Sequence, residues 1–138
     1  MTSGISYSTF SPECIAWLTF QSQLASHSFT SLTIKGSTNP TGITLTNSAY
    51  VAAIANALNT NTAYGPVSSN GYSWAVGNCA VSGIGYQSEL TASGGICGCS
   101  SSYTVRPCIG NSNWGGINGA TCGAGTQTLT VIFQWKQK

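Results

Sequence analysis

The sequence predicts a mainly-β, sandwich-like single domain with one short α-helix, stapled by disulfides. Three observations lead there. Apolar residues recur at alternate positions in several short runs, most clearly at residues 127–135, where Leu129, Val131, Phe133 and Trp135 share one face. Helical spacing stands out in one place only, after Asn47. Five of the six cysteines fall among Gly and Ser in the second half, which suits a disulfide framework better than buried thiols.

Taken in order, residues 1–12 form an N-terminal arm and residues 13–138 a single domain. The arm is polar, with Ile5, Tyr7 and Phe10 interspersed, and it ends at Pro12. Its alternation suits a strand that completes the sheet of a neighbouring molecule; a segment that folds back on its own domain, or a disordered tail, is the alternative. Residues 14–20 (CIAWLTF) are an apolar run of strand length. Residues 29–34 alternate again, with Leu32 and Ile34 on one face. Lys35-Gly36 opens a turn-rich stretch through Asn39-Pro40-Thr41-Gly42, and Ile43 and Leu45 make a further strand.

Asn47 or Ser48 can cap a helix running to about Leu58. Val51, Ile54, Ala55 and Leu58 fall at i, i+3, i+4 and i+7 and make one buried stripe. Asn70-Gly71, between residues 64–67 and 72–76, signals a hairpin turn. Residues 77–98 read as loop. Residues 103–109 read as a strand that Pro107 confines to an edge or bulge. Residues 110–125, with six Gly, form a long loop.

Charge is nearly absent. Glu13, Lys35, Glu89, Arg106, Lys136 and Lys138 are the only charged residues among 138, while Ser, Thr, Asn and Gly supply 64. Ordinary domains carry about 25% charged residues. Two remote carboxylates do not suit paired-carboxylate hydrolysis or Ca²⁺ and Mg²⁺ chemistry. A net charge of +2 without a basic cluster does not suit nucleic acid. No apolar run is long enough to span a membrane. Residues 1–30 lack the basic start and continuous apolar core of a signal peptide, which leaves a mature chain or a virion part released by lysis as the routes outside.

Catalytic templates fail. A Ser or Cys nucleophile needs a base and an orienter, and the chain has one histidine, His27, and no Asp. Cys97-x-Cys99 lacks zinc-ligand spacing. No enzyme activity, metal or other cofactor is expected. The six cysteines, Cys14, Cys79, Cys97, Cys99, Cys108 and Cys122, are instead expected in disulfides, with the pairing left open. Arg106 is expected to satisfy backbone carbonyls or pair with Glu89. Asn111, Asn113 and Trp114, on the Gly-rich loop, form a candidate sugar-binding platform. The competing reading of Trp114 is a plug in the core. Ser37, Thr38 and Thr41, beside Pro40, are candidate O-glycosylation sites; the chain has no usable N-glycosylation sequon.

The segment from Gly94 to Phe133, with Cys97-x-Cys99, the run from Tyr103 to Asn111 and Trp114-Gly-Gly, resembles stretches of uncharacterised phage and environmental-microbe surface proteins. The composition is similar to that of fibre, pilus-like and virion-surface subunits. The resemblance implies a structural role outside the cell or on a virion. It departs from chaperone–usher pilins, which commonly have two cysteines. An uncharged surface brings little repulsion between copies and few ions to desolvate at an interface. The expectation is a structural subunit of an extracellular filament, pilus-like fibre or virion appendage, with copies of itself as partner. A carbohydrate- or receptor-binding module, with glycans as partner, is the alternative.

Overall fold

The C-terminal alternation organises the molecule. The computed structural model describes residues 2–8, 14–37, 39–77, 90–93, 103–105, 115–117 and 128–136. In chain order the elements are β1 (Thr2–Ser8), α1 (Cys14–Ser22), β2 (Ser31–Gly36), β3 (Asn39–Leu45), α2 (Ser48–Thr60), β4 (Tyr64–Ser69), β5 (Tyr72–Val76), β6 (Leu90–Ser93), β7 (Tyr103–Val105), β8 (Gly115–Ile117) and β9 (Leu129–Lys136). One sheet has the order β1-β9-β2-β3 and the other β4-β5-β6-β7-β8; every pairing is antiparallel.

Strand β9 has a partner on each side, and Leu129, Val131 and Phe133 are fully buried. Its register builds two rows across the first sheet. Ile5, Phe133, Leu32 and Leu45 form one; Tyr7, Val131, Ile34 and Ile43 form the other. Cross-strand neighbours of this kind are what stabilise a sheet, and alternation puts all eight on its core face.

The expected helix is α2. Asn47 caps it, its Oδ1 accepting the Tyr50 N–H at 3.1 Å. Val51, Ile54, Ala55 and Leu58 are buried as the stripe required, with Ala57 beside them. Asn61, at φ 56, closes the helix, and the Thr62 N–H returns to the Ala57 carbonyl at 2.9 Å.

Residues 14–20 correct the expectation of a strand, because they belong to helix α1. Trp17, Phe20, Gln21 and Leu24 are buried at i, i+3, i+4 and i+7, while Ile15 is 67% exposed. A polar Gln21 occupies one position of this buried stripe, which hid the period; a seven-residue apolar run has no length to separate the two periods. The chain therefore has two described helices where one was expected. Its mainly-β character holds. Because α2 packs against β2 and β3 of one sheet and β4 and β5 of the other, part of the core is helix on sheet.

The turn-rich stretch also differs. Asn39-Pro40-Thr41-Gly42 lies within β3, the edge strand, where a proline costs no ladder bond on its outer side. Gly42 has φ 63, and a Cβ there would collide with the Ile34 carbonyl oxygen, so only glycine fits. The Asn70-Gly71 hairpin stands as expected, with φ 55 and 81 at its two centres.

Candidate functional site

The structure places the N-terminal segment at the outer edge of the first sheet. All seven β1 residues pair with β9 without a break, from Thr2 opposite Lys136 to Ser8 opposite Thr130. Tyr7 is buried, 4.8 Å from the Trp17 ring and 5.8 Å from that of Phe20; Trp17 and Phe20 stack at 5.6 Å. Ile5 is half-buried against the same core. Two of the three expected arm residues thus anchor β1 to its own domain, and α1 supplies the aromatic wall. Phe10 lies outside the described residues. Gly4 lets β1 approach closely, since a Cβ there would stand 2.9 Å from the Phe133 carbonyl oxygen.

Ser37, in the β2–β3 turn, and Thr41, within β3, are exposed and open to an attached sugar; Thr38 is outside the described residues. Cys14 begins α1 and is disulfide-bonded. Cys79, Cys97, Cys99, Cys108 and Cys122 are outside the described residues, as are Asn111, Asn113, Trp114, Arg106 and Glu89.

Two features escaped sequence reasoning. His27, exposed at the surface, stacks flat on Trp135 with ring centroids 3.7 Å apart and an interplanar angle of 6°. Phe29 meets both rings edge-on. No sequence spacing joins residues 108 positions apart; the Thr30 N–H bond to the Gln134 carbonyl does so. Nearby, a cavity of about 430 Å³ is lined by Thr30, Ser31, Thr46, Ser48 and Lys136. Four hydroxyls and an ammonium could hold a small polar ligand.

A third group joins the sheets. Asn39 Nδ2 donates to the Tyr103 phenol at 2.7 Å, and Tyr72 lies edge-on to the same ring. Burial raises the Tyr103 pKa above the ordinary tyrosine value and the Tyr72 phenol adds to this, while the Asn39 bond opposes it.

Among the described residues no helix is long and apolar enough to cross a membrane. No family model, curated protein or solved structure matches the chain.

Proposed function

We propose that the chain is a structural subunit of an extracellular filament, pilus-like fibre or virion appendage, built from repeated copies through sheet edges and the N-terminal strand. The observation that carries this reading is the position of β1. It is an uncharged terminal strand at the edge of a sheet, held to the domain by backbone pairing and two side chains. Such a strand can be presented to a second copy or exchanged with it. The near absence of charge supports the reading, because two such surfaces approach without repulsion.

The role is structural rather than catalytic. The six cysteines staple the domain for life outside the cell, a reading supported by the bonded state of Cys14. Sugar on Ser37 or Thr41 would supply hydration that charge does not.

Negative-stain microscopy of the pure full chain tests the assembly. Repeating polymers are the expected result, and a strict monomer at high concentration overturns it. Mass with and without reductant tests the disulfides: six free thiols would refute them. Intact mass above 14.2 kDa by hexose steps would reveal glycans.

A further inference from the structure

A sheet edge offers unpaired N–H and C=O groups to any strand that reaches it, and proteins block such edges with proline, bulges, charge or brevity. The described sheets have four edges, β1, β3, β4 and β8. Three are blocked. Strand β3 carries Pro40, a register shift opposite Ile34 and Gly36, and a Thr44 carbonyl already taken by Asn70 Nδ2 at 3.2 Å. Strand β4 carries Pro66 and a register shift between Tyr64 and Val67. Strand β8 is three residues long. Strand β1 has none of these devices. It contains no proline and no charge, and its pairing with β9 has no shift. Beyond β9, residues 2–6 have no other strand neighbour among the described residues.

We infer that residues 2–6 of β1 pair antiparallel with the same segment of a second copy, across a two-fold axis normal to the sheet. This rests on the assembly reading and names its contact. A second copy is the occupant because Thr2, Ser3, Gly4, Ile5 and Ser6 bring no like charges together when the strand meets itself. The other described edges of that copy are blocked, so β1 is the strand it has to offer. A surface that binds itself is isologous and closes at two copies. An axis normal to the sheet keeps Ile5 of both copies on the core side and Gly4 and Ser6 on the exposed side. The repeating unit is then a dimer with one continuous sheet.

The test uses the full chain in sedimentation velocity across concentration, with hydrogen exchange of the β1 amides. The wild type passes from monomer to dimer, and amides of residues 2–6 gain about tenfold protection as it does. Ser6 is exposed, so Ser6→Lys keeps the fold, which circular dichroism verifies, and weakens the dimer about tenfold by putting an ammonium group on the pairing edge, opposite Thr2 of the second copy. Mixing Ser6→Lys with Thr2→Asp sets the two charges directly opposite across the contact and restores pairing. Thr41→Lys on β3 changes nothing. Assembly that leaves β1 exchange unchanged, or that Thr41→Lys disrupts and Ser6→Lys does not, overturns the β1 contact while leaving a polymer intact. Protection of β1 that appears only with a foreign strand peptide also overturns it. A monomer at every concentration overturns both readings.

Discussion

The amide nitrogen of Asn39 and the phenol oxygen of Tyr103 lie 2.7 Å apart, and they belong to different sheets. Asn39 opens β3 and Tyr103 opens β7. A second link joins the Asn70 amide, in the β4–β5 turn, to the Thr44 carbonyl of β3. Strand β3 is thereby tied to the second sheet at both ends, which leaves β1 as the opposite, open margin of the first.

Tyr103→Phe and Asn39→Ala should each destabilise the domain by about 1 kcal/mol, and the double variant should cost less than the sum because both remove one bond. Denaturant titration of the four proteins measures it. Above the unfolded tyrosine value near pH 10, the unfolded chain releases this proton first. The raised folded pKa therefore contributes stability that is complete below that pH and lost as pH climbs through the folded value. Tyr103→Phe should remove that part of the alkaline slope.

Gly42→Ala and Gly71→Ala separate backbone strain from collision. Both have positive φ, but a Cβ at Gly71 meets nothing within 4 Å, whereas one at Gly42 strikes the Ile34 backbone. Gly71→Ala should cost about 1 kcal/mol, and Gly42→Ala more than about 2 kcal/mol. Thermal melts of the two variants would show the order, and equal losses would contradict it.

Gln21 is 3% exposed. Its Nε2 donates to the Leu58 carbonyl, its backbone carbonyl accepts from Asn59 Nδ2, and its Oε1 has no partner among the described residues. Gln21→Met keeps the volume and removes the orphaned oxygen, so it should cost under about 1 kcal/mol. Gln21→Ala opens a cavity between α1 and α2 and should cost about 2 kcal/mol or more. Chemical denaturation ranks them.

The His27 ring shields one face of Trp135. His27→Ala should lower stability by about 1 kcal/mol and raise quenching of Trp135 fluorescence by acrylamide. A Trp135→Phe background identifies the signal. Unchanged quenching would mean that the stack does not persist in solution.

Much of this architecture is legible along the chain. Alternation at Leu129, Val131 and Phe133, the Asn47 cap with its buried stripe, and the φ-positive Asn70-Gly71 pair are local signals. They act through backbone geometry within a few residues, so the sequence by itself determined β9, α2 and the β4–β5 hairpin. Helix α1 was hidden because Gln21 sits where its period needs an apolar residue; only the carbonyl of Leu58, 37 positions away, makes that burial affordable. Likewise Pro40 and Gly42 signal a turn locally, and only the place of β3 at a sheet edge makes them strand residues. The tertiary structure alone decided that β1 lies against β9, that His27 covers Trp135, and which edges are blocked. Those relations join residues about a hundred positions apart or set one edge against another, and no spacing in the sequence encodes them.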